Sequence, residues 1–163
     1  MKKIVFIILS LSILLLNLVS CSAPDQRENG IVYSFWSNGT EIAVDADAAP
    51  ILAALGEWSA YVDSPSCAFV GLDKTYTYTG FEIQTYPAQE KDYVYMVILL
   101  DDTVQTKEGI AIGDSKDEVL TAYGTPSKQT DTALTYNGEG MYLEFLFRNG
   151  EAVTDIRYCK TEQ

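Results

Sequence analysis

The chain has 163 residues, a formal net charge of −12 and no histidine. Without histidine the protein lacks the commonest general base and the commonest metal ligand, which excludes the many hydrolases and zinc sites built on that side chain. A surface this acidic repels phosphate backbones, so nucleic acid is not expected as a partner.

The first residues have the pattern of an export signal. Lys2 and Lys3 precede an apolar run over residues 4–16, which is shorter than the about 20 residues needed to span a bilayer. Small residues then precede a cleavage position, as in a secretory signal peptide. The segment Leu18-Val-Ser-Cys21 resembles the bacterial lipobox, whose cysteine sulfur receives a diacylglycerol. We therefore expect cleavage after residue 20, lipidation of Cys21, and anchoring to the extracytoplasmic face of the cell membrane or outer membrane.

Cleavage would leave residues 21–163 and change the net charge from −12 to −14, because Lys2 and Lys3 are lost. That length suits one ordinary domain or two very small ones. Residues 21–30 are polar, contain proline and glycine, and are typical of a flexible tether. Beyond the tether we place a first unit with a leading hairpin in residues 31–104 and a second unit in residues 105–163.

An internal repeat defines these units. Residues 42–56 align without gaps on residues 110–124. Each copy predicts a short strand, a helix of about two turns and a glycine that stops it. Ser115 and Glu118 have the spacing of a capping box, and in the first copy Asp45 or Asp47 is expected to cap the helix. Helices this short are unstable alone, so each should pack on a sheet.

Strands follow each helix and are separated by turn signals such as Asn-Gly. The predicted strands cover residues 74–79, 81–86 and 93–100, then 133–136, 141–148 and 153–158, with a leading hairpin over 31–36 and 41–44 and a long connection over 57–73. The predicted fold class is α+β, an antiparallel β-sheet with two short helices on one face, built from two degenerate repeats.

The segment IAIGDSKDEVLTAYGTP, followed by YLEFLF and VTDIRY, resembles repeats of the β-lactamase-inhibitor-protein-like fold. It is also similar to the small outer-membrane lipoproteins of the barrel-assembly machinery, the SmpA-OmlA-like fold. The likeness covers residues 41–158, and the first copy departs from it where Ala46 replaces the glycine matched by Gly113 and Asp47 the serine matched by Ser115. The resemblance implies a protein-binding sheet surface. It transfers no inhibited enzyme, because such proteins bind unrelated partners.

No residue pattern predicts a catalytic site, a metal site or a cofactor. Asp45, Asp47 and Asp114 are explained as helix caps, and Asp101-Asp102 as a strand end. Serine, threonine and cysteine nucleophiles have no histidine to activate them, although a lysine base is left open. The sequence also lacks a calcium-loop motif and a glycine-rich phosphate loop. We expect a protein that is not an enzyme.

Two cysteines follow Cys21 in the chain. Cys67 lies in a predicted loop and Cys159 ends the last predicted strand. An oxidising compartment would permit a disulfide between them. The sequence alone leaves pairing and free thiols equally open, because it does not give the geometry.

Aromatic residues carry the functional prediction. Strand alternation indicates a tyrosine-rich sheet face directed away from the helices, made by Tyr76, Tyr78, Tyr86, Tyr93, Tyr95 and Tyr142. Tyrosine is enriched at interfaces, but it is also an ordinary strand former. The favoured hypothesis is a protein partner bound on this face.

Two alternatives are kept. The first is a small molecule or envelope polymer bound by the connection over residues 57–73 with Trp58 and Tyr61. The second, ranked last, is a hydrolase that works without histidine.

Overall fold

The structure, a computed structural model, describes residues 30–161. The predicted signal peptide, Cys21 and all of the tether except Gly30 lie outside the described residues. The elements in chain order are β1 (Ser34–Ser37), β2 (Thr40–Ala43), α1 (Ala48–Leu55), β3 (Ala60–Pro65), β4 (Leu72–Tyr78), β5 (Phe81–Ala88), β6 (Lys91–Leu99), α2 (Lys116–Tyr123), β7 (Lys128–Gln129), β8 (Ala133–Gly138), β9 (Met141–Arg148) and β10 (Ala152–Lys160).

Eight strands form one antiparallel sheet in the order β3-β4-β5-β6-β10-β9-β8-β7. In each half a helix precedes four strands, which follow one another from the edge of the sheet to its centre. There β6 pairs with β10, so the order is the same from either edge. Strands β1 and β2 form a separate hairpin. The predicted α+β class with an antiparallel sheet and two short helices is confirmed.

Both helices begin and end at residues that the sequence indicates. The Asp47 carboxylate accepts a hydrogen bond from the Ala49 amide at 3.1 Å and caps α1. Ser115 caps α2, and its capping box with Glu118 is complete. The helices end at Gly56 and Gly124 with φ of 81° and 74°, a left-handed backbone that favours glycine.

One hydrophobic core lies between the helices and the sheet. Ile51 of α1 and Val119 of α2 belong to this core together with alternate residues of the strands. In β9, for example, Leu143 and Phe145 are buried while their neighbours are half-buried. We call the face that packs on the helices the helix-covered face and the opposite side the open face.

Two strands were not predicted from the sequence. Strand β3 lies within the connection over residues 57–73, and β7 is two residues long. Both are edge strands whose residues are all exposed, so neither has the apolar alternation by which strands are predicted. Among residues 30–161, no helix is long and apolar enough to cross a membrane.

Candidate functional site

The sheet divides the predicted tyrosines between its two faces. Tyr76 and Tyr78 pair in register with Ile83 and Phe81 and belong to the core on the helix-covered face. The Tyr78 ring stacks on Phe81 with centroids 5.1 Å apart. Their assignment to the face away from the helices was therefore wrong, because the register between β4 and β5 places both side chains inward.

Tyr86, Tyr93, Tyr95 and Tyr142 lie on the open face. Tyr86 and Tyr93 are cross-strand partners with ring centroids 5.9 Å apart. Tyr95 is skipped in the β5–β6 register, and its ring lies 6.3 Å from that of Tyr86. This bulge interrupts the predicted alternation in β6, so that the buried residues there are Val94, Val97 and Leu99.

Residues 66–71, the loop between β3 and β4, fold over the open face and close a groove of about 870 Å³, which we call the open-face groove. Phe69 of this loop lies against Tyr86, with ring centroids 4.9 Å apart. The sheet contributes Gln84 and Tyr95, and the end of β10 contributes Lys160. The volume lies within the roughly 300–1,000 Å³ usual for ligand pockets. The groove is thus lined both by tyrosines of the predicted binding face, Tyr86 and Tyr95, and by residues of the connection over 57–73.

Local contacts fix the shape of this loop. The Ser66 hydroxyl accepts hydrogen bonds from the amides of Ala68 and Phe69 at 3.3 and 3.2 Å. The Ser66 amide donates to the Gly71 carbonyl at 3.0 Å. Gly71 has a φ of 138°, and a Cβ there would lie 2.9 Å from the Pro87 side chain. A glycine is therefore needed where the loop returns to β4.

A charged network supports Tyr86 at the floor of the open-face groove. The Tyr86 hydroxyl donates a hydrogen bond to the Asp45 carboxylate. Lys160 Nζ lies 2.8 Å from Asp45 Oδ2 and 5.5 Å from the centroid of the Tyr86 ring. The hydrogen bonds from Lys160 and Tyr86 hold the pKa of Asp45 below its usual value. Burial, together with the neighbouring carboxylate, raises the pKa of Tyr86, so at neutral pH the hydroxyl is protonated and positions the ring.

The two cysteines occupy different environments. Cys67 is exposed in the loop over residues 66–71, whereas Cys159 is buried beside Tyr142 in the sheet. Within the described part of the chain both thiols are free, and Cys67 and Cys159 are not bonded to each other. Burial raises the pKa of Cys159, which keeps this thiol protonated and unreactive.

A second depression of about 640 Å³ lies beside α1 and includes Trp58 and Tyr76. The Trp58 ring packs against Tyr76 and Tyr61, with centroids 5.1 and 6.2 Å away. The Tyr61 hydroxyl donates to Asp63 at 2.8 Å, which raises the pKa of Tyr61 to about 12. The structure thus brings Trp58 and Tyr61 together, but neither lines the open-face groove.

Aspartates considered as candidate acids have structural contacts. Asp47 forms an ion pair with Lys91 at 2.7 Å in addition to capping α1. Asp114 accepts a hydrogen bond from the Ala111 amide at 2.8 Å, and Asp101 accepts one from the Thr103 amide at 2.9 Å. Within residues 30–161, histidine, cysteine and carboxylate side chains form no group of three or more that could hold a metal ion.

No protein-family model and no curated protein matches this chain. In fold, the chain is similar to the crystal structure of an extracellular protein containing a SCP domain from Bacillus anthracis str. Ames, with a TM-score of 0.52 and 15% sequence identity. The match covers 72% of this chain and 44% of that protein, so this chain spans less than half of its length. At this identity the likeness is one of fold alone.

Proposed function

We propose that this protein is an exported, lipid-anchored lipoprotein that binds another protein through the open-face groove and catalyses no reaction. The groove itself carries the proposal, since it offers about 870 Å³ on the sheet face that both helices leave open. Its floor includes Tyr86, Tyr95 and Gln84, and Phe69 lies above it. Aromatic rings with polar tips are the surface that protein interfaces favour.

The anchor is supported by the first 21 residues. An apolar run over residues 4–16 follows two lysines, and the segment ends in Leu-Val-Ser-Cys, as in bacterial lipoprotein signals. The first described residues lie at the surface of the fold, where the Ile31 carbonyl accepts a hydrogen bond from the Glu139 amide at 3.0 Å. A short tether from Cys21 would reach this point.

We further infer that the two halves arose by duplication of a unit with one helix and four strands. Helices α1 and α2 begin at Ala48 and Lys116, the same offset that relates the aligned segments of the sequence. Asp47 and Ser115 cap them at matching positions. The symmetrical strand order supports the same origin. The resemblance to the β-lactamase-inhibitor-protein-like fold accords with the proposed binding role of the sheet, because that resemblance implies a sheet surface that binds protein.

A role without catalysis is supported by the state of the reactive groups near the open-face groove. The chain has no histidine. Asp45 is bound by Lys160 and Tyr86, and Cys159 is a buried thiol with a raised pKa. Asp45 is held in an ion pair with Lys160, and the thiol of Cys159 is protonated, so neither group is arranged as an activated nucleophile.

Site-specific photo-crosslinking in the native cells tests the proposal. A photoreactive phenylalanine analogue placed at Tyr95 should form a discrete adduct with one protein. The same analogue at Trp36, which is exposed in the β1–β2 hairpin, should not form it. Replacing both Tyr93 and Tyr95 by alanine should abolish the adduct formed from a probe at Gln84, while cooperative unfolding is kept. Equal adducts from Tyr95 and Trp36, or an adduct that survives the double substitution, would contradict protein binding in the groove.

A second candidate function is binding of a small molecule or envelope polymer in the depression beside α1. The cluster of Trp58, Tyr61 and Tyr76 favours it, because the exposed rings of Trp58 and Tyr61 suit the apolar faces of such ligands. Peptidoglycan fragments and sugars should then raise the unfolding temperature of the wild type by mass action. Trp58→Ala should lose this shift and Trp36→Ala should keep it. A shift that is unchanged in Trp58→Ala would refute this assignment.

A further inference from the structure

The strand pairings place one loop, two turns and the C-terminal end of β10 at the same end of the sheet. Pro65 pairs with Leu72 at the loop over residues 66–71, and Ala88 pairs with Lys91 at the β5–β6 turn. Across the sheet, β8 ends and β9 begins at this same end, beside the C-terminal end of β10. We call it the tether end, because the described chain also begins there.

The position of the first described residues is fixed by backbone contacts. The Ile31 carbonyl accepts from the Glu139 amide in the β8–β9 turn, and the Thr161 amide donates to the Gly140 carbonyl of that turn, each at 3.0 Å. Nine peptide units separate Cys21 from Gly30. Fully extended, they span at most about 30 Å. If Cys21 is lipidated as proposed above, the tether end is held within that distance of the membrane.

Five of the ten exposed large hydrophobic side chains among residues 30–161 lie at the tether end. Val70 is 103% exposed, and Phe69 and Leu72 are 44% and 39% exposed. Ile31 and Val32, where the chain enters the fold, are 57% and 53% exposed. Residues 64–72 include no charged side chain. In a chain with 23 acidic and 11 basic residues, an uncharged stretch tipped with apolar groups is a distinct local surface.

We propose that the loop over residues 66–71 enters the headgroup region of a phospholipid surface, next to the lipid on Cys21. This inference rests on the proposed anchor. The tether keeps the loop at a high effective concentration beside the bilayer, so a few apolar side chains suffice for contact. A lipid surface fits better than a protein partner because the exposed apolar groups form a narrow loop tip, smaller than a stable protein interface.

The charge around the loop selects the lipid. Asp63 and Asp73 flank the uncharged stretch. The lysines at this end of the sheet are each neutralised by an ion pair with an aspartate, namely Lys74, Lys91 and Lys160. Anionic headgroups therefore repel this end, whereas zwitterionic headgroups do not. Phosphatidylcholine vesicles are the matching probe, and vesicles rich in phosphatidylserine are expected to give a weaker contact.

The natural thiol of Cys67 provides a reporter within the loop, since it is exposed while Cys159 is buried. The full lipidated protein is labelled at Cys67 with a polarity-sensitive fluorophore and inserted into phosphatidylcholine vesicles. Brominated phosphatidylcholine should quench the probe at least about twofold relative to plain vesicles, and Val70→Asp should remove most of that quenching. The control carries the fluorophore at residue 149 through N149C in a C67S background. Asn149 lies in the β9–β10 turn at the opposite end of the sheet, so quenching is not expected there.

The outcomes separate this inference from the proposed anchor. Mass spectrometry that finds no acyl group on Cys21 refutes the anchor and this inference with it. Acylated, vesicle-bound protein whose probe at Cys67 is quenched no more than the probe at residue 149 overturns only the membrane-contacting loop. A blue shift at Cys67 without bromine quenching also overturns it, because the loop would then be covered by protein.

Discussion

Replacing Tyr86 by phenylalanine removes one hydroxyl from the floor of the open-face groove. The ring contacts with Phe69 and Tyr93 should persist, while the Asp45 carboxylate loses one of its two side-chain donors. The effect of the substitution therefore isolates the hydrogen bond that holds this ring in place.

The expected loss of stability is about 1 kcal/mol. A hydrogen bond to a charged group contributes roughly 1.5–3 kcal/mol. The Asp45 side chain is 54% exposed, so solvent screening reduces that contribution. In a domain of this size, 1 kcal/mol lowers the unfolding temperature by about 3–5 °C.

The dependence on pH identifies the carboxylate as the acceptor. Hydrogen bonds from Lys160 and Tyr86 lower the pKa of folded Asp45 from its usual 3.8. The stability that they contribute is therefore complete above that usual pKa and is lost as pH falls through the lower, folded pKa. Urea denaturation followed by circular dichroism should show the full difference between wild type and Tyr86→Phe at about pH 7. The difference should shrink as the pH is lowered below the usual pKa of 3.8.

Tyr95→Phe is the matched control, because among the described residues its hydroxyl has no hydrogen-bond partner to lose. An equal loss of stability in Tyr86→Phe and Tyr95→Phe would refute the reasoning. So would a Tyr86→Phe difference that is independent of pH.

Three further predictions concern the whole domain. Ser115→Ala should lower the free energy of unfolding, measured by urea denaturation, by about 1 kcal/mol because it removes the cap of α2. Ser64→Ala, at an exposed position of the edge strand β3, should lower it much less. Burial raises the pKa of Tyr158 above its usual 10.0, so stability should be complete below that value and fall as pH rises past it; unfolding temperatures that stay constant up to about pH 12 would contradict this. A thiol reagent should modify Cys67 in the folded protein and Cys159 only after denaturation, as mass spectrometry of the tryptic peptides would show.

Local features of the fold could be predicted from the sequence because short-range patterns determine them. The capping box at Ser115 and Glu118 satisfies backbone groups within one turn, so its spacing suffices to place the start of α2. The strand predicted over residues 141–148 coincides with β9, whose alternate burial is visible in the amino-acid order.

The open-face groove could not be predicted, because it depends on long-range register. Whether Tyr76 faces inward is decided by its pairing with Ile83 in another strand, which alternation within β4 does not specify. The skipped Tyr95 shifts the faces of β6 by one residue. The loop lies over the sheet because Phe69 packs on Tyr86, and Tyr86 belongs to β5, the second strand after the loop. The adjacent apolar residues Phe69 and Val70 were the signal that this connection makes a contact. They do not indicate the sheet face on which the loop packs.

The pairing of β6 with β10 at the centre of the sheet has a consequence for how the chain is made. On the side away from β5, residues 96–99 of β6 pair with residues 156–159, near the end of the sequence. A chain that emerges N-terminus first would complete the β3–β6 half of the sheet while this apolar edge of β6 still lacks its β10 partner, and such edges promote aggregation. Premature truncation, even by a dozen residues, should therefore harm solubility far more than loss of an equal length from the start of the mature chain.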